Sequence, residues 1–367
     1  MEIIAKQSKM LLAHQFSLSH ITGITVMMKE ILRLFPTRKE CIASYISFSG
    51  TLEDFISELD EKHYDATYVI GINLHIELKW EYSLALLQWC KVRHIPIWIY
   101  IHDYWPHHFG HVATVVEKGA KLLASTKFLQ NSLAEDGYSA KVITVGVPLP
   151  EELPPLKPSP WITVPKVFAS AGRLAPRKRF YDIVRAFREA ALENKAVLYL
   201  RLLTSHVFKR SEDAEQINLI EAEIPEDYKK RGSVRIDHVP SASTFNYSTY
   251  FAYVCSSSYE GFSMSPIEAA YFGCPPLMSD IPAHKAIAQT LFGDQAADFL
   301  YPLGDTTALA KMMRDEVTTE QRRQFLISHI TEIRSAIRTR WSLTNTAMLL
   351  AGIGRPDMLE CIAIEKP

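Results

Sequence analysis

Tyr259-Glu260-Gly261-Phe262-Ser263-Met264-Ser265-Pro266-Ile267-Glu268-Ala269-Ala270 is the stretch that orients the whole chain. It follows an apolar, β-rich run from Phe251 to Ser256 and passes into helical spacing. Ligands of α/β sheets bind at such strand-to-helix turns. Ser265 and Glu268 stand three apart, as in a capping box, with Pro266 at the first helical position. A helix is therefore predicted from Pro266, stopped by Gly273 and Pro275. The amides of Gly261 to Met264 and of the first turn then offer a site for an anion or polar ligand. Glu260 is not needed for the cap, which suits it to accept hydrogen bonds from sugar hydroxyls, and Glu268 could reach a second diol such as a ribose. In the plainer reading Glu268 only closes its box and Glu260 is solvated.

Outward from this stretch, short apolar runs alternate with helical segments in both directions, the pattern of parallel strands joined by helices. Strands are predicted at Met10–Phe16, Cys41–Ser47, Thr67–Ile72, Pro96–Ile101, Lys121–Ser125 and Lys141–Val145. After them, prolines 148, 150, 154, 155, 158, 160 and 165 mark a stiff connection. The alternation restarts with strands at Val167–Ala171, Val197–Leu203, Val234–Val239, Phe251–Ser256 and Pro276–Ser279, a helix at Arg179–Glu193 and a polar, acidic stretch at 211–231. The fold class is α/β, with two Rossmann-like doubly wound domains facing a central cleft. Residues 1–150 form the first domain, 151–165 the linker and 166–340 the second domain.

A second cluster, Gly172-Arg173-Leu174-Ala175-Pro176-Arg177-Lys178, joins the strand at Val167–Ala171 to the following helix. A guanidinium fork and an ammonium group five residues on can grip a diphosphate. Taken alone, such basic residues are more often a solvated loop; beside the Glu260 segment, the diphosphate reading is the better one.

Composition excludes several functions. The 367 residues carry 40 Lys plus Arg against 41 Asp plus Glu, a net charge of -1, so there is no basic field for nucleic acid. The first 150 residues hold 14 basic and 15 acidic side chains, so neither half reads as a polyanion-binding module. Five scattered cysteines without a CxxC pair read as buried thiols in a reducing compartment. With no signal-peptide pattern and no long apolar run, the chain is expected to be cytoplasmic.

Gly-Arg-Leu-x-x-x-Lys at 172–178, Glu-Gly-Phe-x-Met-x-x-x-Glu at 260–268, Gly273-Cys274-Pro275-Pro276 and Ser279-Asp280-Ile281-Pro282-Ala283-His284 together resemble the donor-binding half of family-four retaining glycosyltransferases with the GT-B fold. The resemblance implies that Arg173 and Lys178 hold a nucleotide diphosphate. It further implies that Glu260 and the amides of Phe262, Ser263 and Met264 hold the sugar, and that Glu268 holds the ribose. A final helix after Trp341 would return to the first domain, giving 341–367 as a separate segment. UDP is the commoner donor nucleotide of such enzymes, ahead of GDP. Three positions depart from the family pattern. Arg179 and Ser263 stand where glycines are usual, and Thr204-Ser205-His206 replaces a glycine-containing turn.

In the first domain the resemblance directs His102, at the end of a strand, toward the donor sugar and the transferring bond. Gly23 stands in a shortened version of the glycine-rich first loop that approaches the diphosphate or acceptor. His107 and His111 have a metal-ligand spacing, but no HExxH motif is present and Pro106 interrupts the segment. The reading is thus of no metal and no cofactor, only a nucleotide-sugar co-substrate. Met27, Met28 and Phe35 with Lys29 and Arg33 form a helical stripe suited to core packing or to peripheral membrane contact. The acceptor would be a glycan, a lipid-linked molecule or a small molecule. The rival readings are a sugar-nucleotide epimerase on the same fold and a non-catalytic protein that binds a glycan or a partner.

Overall fold

A computed structural model describes residues 8–15, 23–34, 41–75, 79–104, 111–150, 166–192, 196–203, 211–239 and 247–353. They fall into two compact units, one within 1–148 and 340–367, the other within 149–339.

In the first unit the elements run β1 (Ser8–His14), α1 (Gly23–Leu34), β2 (Cys41–Ser47), α2 (Leu52–Lys62), β3 (Tyr68–Ile72), α3 (Trp80–Val92), β4 (Ile97–Ile101), α4 (Val112–Glu117), β5 (Lys121–Ala124), α5 (Lys127–Glu135) and β6 (Ala140–Val142). The sheet order is β2-β1-β3-β4-β5-β6, with every neighbouring pair parallel. β3 is apolar or glycine throughout and buried at all five positions, as strands covered on both faces must be. On α3 the buried face runs through Tyr82, Ser83, Leu86, Leu87 and Cys90. On α1, Met28 and Ile31 are buried, so part of the stripe that could have met a membrane is spent on packing. No described helix is long and apolar enough to cross a membrane.

The second unit holds β7 (Lys166–Arg173), α6 (Phe180–Glu189), β8 (Ala196–Leu203), α7 (Ser211–Ala222), α8 (Glu226–Arg231), β9 (Val234–Val239), β10 (Ala252–Cys255), α9 (Met264–Tyr271), β11 (Pro276–Ser279), α10 (Pro282–Phe292), β12 (Leu300–Tyr301), α11 (Thr306–Arg314) and α12 (Glu316–Ser328). Its sheet is also all parallel, in the order β12-β11-β10-β7-β8-β9. Two expectations need correction here. The stretch 211–231 is not merely polar, because it forms α7 and α8. Pro225 starts α8 and Gly232, at φ 66°, ends it, with Glu226 and Asp227 in its first turn and Lys229, Lys230 and Arg231 in its last. That order of charge complements the helix dipole. The helix predicted at Arg179–Glu193 is shorter, since Ala191 turns left-handed at φ 52° and breaks it.

After α13 (Ile330–Trp341), α14 (Leu343–Ile353) packs on α1 in the first unit. Thr346 donates its hydroxyl to Thr144 O at 2.7 Å, and Tyr68 donates to Ala351 O at 3.2 Å. A Cβ on Gly146 would lie 2.3 Å from Leu343 Cα, so only glycine allows this approach. The four described cysteines are buried free thiols.

Candidate active site

β7 and β10 are hydrogen-bonded neighbours, yet the chain leaves them toward opposite edges of the sheet, through α6 to β8 and through α9 to β11. This is the topological switch point, where open parallel sheets bind ligands beyond their carboxyl ends. The basic loop after β7 and the acidic loop after β10 therefore emerge side by side. They are stitched together by Ser258 N donating to Arg177 O at 2.7 Å and by the Ser256 hydroxyl, whose oxygen lies 2.7 Å from Lys178 O and 2.9 Å from Arg179 O.

At that junction Glu260 is only 5% exposed. Its Oε1 accepts from Lys178 Nζ at 2.5 Å and from the Ser257 hydroxyl at 2.7 Å, and its Oε2 accepts from Arg177 Nη1 at 2.8 Å. Burial alone would favour the neutral acid, but Lys178 and then Arg177 outweigh it and pull the carboxyl from 4.5 down to about 2. Glu260 is an anion at neutral pH and is not solvated. Lys178 and Glu260, two of the residues singled out from the sequence, are thus in contact. Arg173 is the last residue of β7, with an exposed side chain. Arg177, from the same basic loop, joins Lys178 and Glu260, although nothing in the sequence shows which carboxylate its fork meets.

Arg179 adopts φ 49°, ψ 43°, the left-handed conformation for which glycine is suited. An L-residue there costs about 1–2 kcal/mol. Its guanidinium donates to Asp182 Oδ2 at 2.6 Å and lies over the Tyr181 ring, contacts no glycine could make.

The capping box expected from Ser265 and Glu268 does not form. α9 starts at Met264, two residues earlier than predicted, with Ser263 at the N-cap, and Pro266 sits within the first turn, where a backbone N–H has no intrahelical partner anyway. Glu268 Oε2 instead accepts from the Tyr247 hydroxyl at 2.5 Å. Burial raises the Glu268 carboxyl, against that hydrogen bond. Ser263 makes no side-chain cap, because its hydroxyl meets His284 Nε2 at 3.2 Å. His284 also lies 3.5 Å from Cys255 Sγ, and its Nδ1 donates to Ser279 O at 2.8 Å. Burial would raise the Cys255 thiol, but His284, with help from Lys178, draws it down to about 7. Phe262 and Met264 are partly buried on either side of Ser263.

In the first unit His102 follows β4, and its backbone N–H is bound by Asn73 Oδ1 at 2.9 Å. Burial, then the neighbouring His14 and His75, push its imidazole down to about 3, so it is neutral at physiological pH. Among the described residues, its Nε2 has no hydrogen-bond partner. His14, Asn73, His75 and His102 all sit at or just past the carboxyl ends of β1, β3 and β4, and the first three were missed although their strand-end positions signal them. Gly23 opens α1. His107, His108 and Thr204 to His206 lie outside the described residues, and among those described no three His, Cys, Asp or Glu side chains form a metal cluster.

Residues 165–318 match the family described as glycosyl transferases group 1. The resemblance to family-four retaining glycosyltransferases thus extends across most of the second unit. No curated protein matches the chain by sequence. Among solved structures, sucrose-phosphate synthase from Thermosynechococcus elongatus is similar with a TM-score of 0.71 and 14% identity, covering 96% of this chain and 100% of that one. A glycosyltransferase from Rickettsia africae ESF-5 gives 0.68 and 15%, covering 97% and 99%. A pneumococcal O-GlcNAc transferase, solved with UDP and GlcNAc, gives 0.58 and 16%, covering 84% and 60%. At these identities the likeness establishes the fold, the two-domain α/β GT-B type.

Proposed function

We propose that this glycosyltransferase moves a sugar from a nucleotide diphosphate donor to an acceptor hydroxyl with retention at the anomeric carbon. The observation that carries the reading is the Lys178, Arg177 and Glu260 cluster beside the N-terminus of α9, at the switch point of the second sheet. Lys178 and Arg173 would face the donor's diphosphate. Glu260 and the amides of Phe262 to Met264 would hold the sugar, and Glu268 the ribose. Neutral His102 would donate or accept one hydrogen bond at the sugar.

In the transfer step the bond from the anomeric carbon to the phosphate oxygen breaks, and its electron pair leaves with the diphosphate. The acceptor oxygen bonds to the same face of the carbon, and its proton passes to the departing phosphate oxygen. No protein base is then needed. Lys178, Arg173 and the helix-end amides stabilise the developing charge, a role for which preorganised donors are well suited. With the charge balanced in this way, no divalent metal is required.

A UDP sugar is the preferred donor over a GDP sugar, since UDP is the commoner nucleotide in the family that the motifs resemble and a structural neighbour was solved with it. Calorimetric titration of the wild-type protein with UDP and with GDP tests this choice. UDP should bind at least about tenfold more tightly, a difference of about 1.4 kcal/mol; equal or reversed affinities would remove the UDP assignment. A rearranged sugar nucleotide formed without any acceptor would favour an epimerase instead.

A further inference from the structure

Glu260 has two cationic partners, Arg177 and Lys178, of which only Lys178 is assigned to the diphosphate in the donor reading above. Lys178 Nζ sits 2.5 Å from Glu260 Oε1, so the amine assigned to the donor is already engaged with the carboxylate. When a diphosphate arrives, it competes for that amine. A carboxylate this deeply buried cannot be left without a cation, because breaking one side of a buried pair is strongly unfavourable. Arg177 reaches the other carboxylate oxygen at 2.8 Å and the Tyr259 carbonyl at 3.1 Å from the same Nη1. Its backbone carbonyl is in turn held by Ser258 N. The guanidinium is therefore tied to the carboxylate and to the loop that carries it.

We propose that Arg177 is a positioning residue for transfer: it keeps Glu260 paired and in place while Lys178 is drawn toward the donor's diphosphate. The inference rests on the donor reading above. Two neighbouring residues of one loop then divide the work. Lys178, a flexible point charge, is shared between sugar-binding carboxylate and phosphate, while Arg177, a planar fork, stays with the carboxylate. Arg177 need not touch the donor, so its loss should fall mainly on turnover, with only a small loss of nucleotide affinity as Glu260 holds Lys178 back from the diphosphate.

The groups that face Glu260 are Arg177 and Lys178 from the β7 loop, Cys255 at the end of β10, Ser257 in the loop after it and His284 on α10. Of these, Lys178 and Arg177 hold the carboxyl down. Removing Arg177 should therefore raise its titration and move the acid limb of turnover to higher pH.

The test compares wild type, Arg177→Gln and Arg177→Lys, each checked for folding by circular dichroism. UDP affinity is measured by calorimetry, and kcat, donor KM and their pH profiles by a UDP-release assay. For Arg177→Gln we expect kcat to fall about tenfold or more with UDP affinity within about threefold of wild type. Its acid limb should rise, and Arg177→Lys should recover part of both changes. Loss of UDP affinity in parallel with kcat would overturn the proposal, because Arg177 would then be a diphosphate ligand. Unchanged kcat and an unchanged acid limb, in a wild-type protein that binds UDP, would overturn it and leave the donor reading intact. A wild-type protein that binds no nucleotide sugar would sink both.

Discussion

Glu260→Gln is expected to lower kcat at least about a hundredfold while binding UDP no more weakly than wild type. The carboxylate is assigned to the sugar, and its removal takes away an acceptor that the neutral amide only partly replaces. A hundredfold corresponds to about 2.7 kcal/mol, within reach for a buried charged partner. Nucleotide binding should be spared, because the substitution releases Lys178 from its bond at 2.5 Å. Stability provides a second, independent readout. A carboxyl lowered from 4.5 to about 2 stabilises the fold by about 3 kcal/mol above pH 4.5. That contribution is lost as pH falls through the folded value, with about 2 kcal/mol gone by pH 3. Urea unfolding should therefore show wild type losing its advantage over Glu260→Gln between about pH 5 and pH 3. A variant that loses UDP affinity along with turnover would show that Glu260 is not a sugar residue.

Arg173→Ala combined with Lys178→Ala should weaken UDP binding by a hundredfold or more. Two charge-assisted hydrogen bonds contribute about 1.5–3 kcal/mol each, and every 1.4 kcal/mol is about tenfold in affinity. Folding should suffer less, because Arg173 is exposed and Glu260 keeps Arg177 as a cation when Lys178 is gone. Calorimetry of the folded double variant decides the matter. Affinity for UDP equal to that of wild type would remove the diphosphate assignment from this loop.

The two sheets were legible in the sequence because parallel strands covered on both faces are written as short apolar runs, such as Tyr68–Ile72, separated by helical spacing. α7 and α8 were hidden by their polarity. They hold to the core through a few residues, among them Ile220 and Tyr228, too few to impose a clear period. In the site, Lys178 and Glu260 could be named from their motifs, but their direct contact could not. It arises from the adjacency of β7 and β10, a fact of sheet order that a sequence separation of 82 residues conceals. The Ser265-x-x-Glu268 pattern pointed to a local bond, and a distant one prevailed. Tyr247 offers a hydroxyl from 21 residues upstream, and the helix begins before Ser265 can act as its cap. Arg179 departs from the usual glycine, and its left-handed backbone supplies the reason a glycine is usual there.

Retaining transfer driven by fixed cationic and amide donors is read from the anomeric configuration of the product. Wild-type protein, an α-linked UDP sugar and a competent acceptor hydroxyl should give an α-linked product in the presence of excess chelator, read by proton NMR from the anomeric coupling. A β-linked product would rule out retention, because inversion needs a general base opposite the leaving group, a role that would pass to Asp103 or His102. Activity abolished by chelator and restored by one divalent ion would rule out transfer driven by fixed donors, by placing the neutralising charge on a metal instead of Lys178 and Arg173.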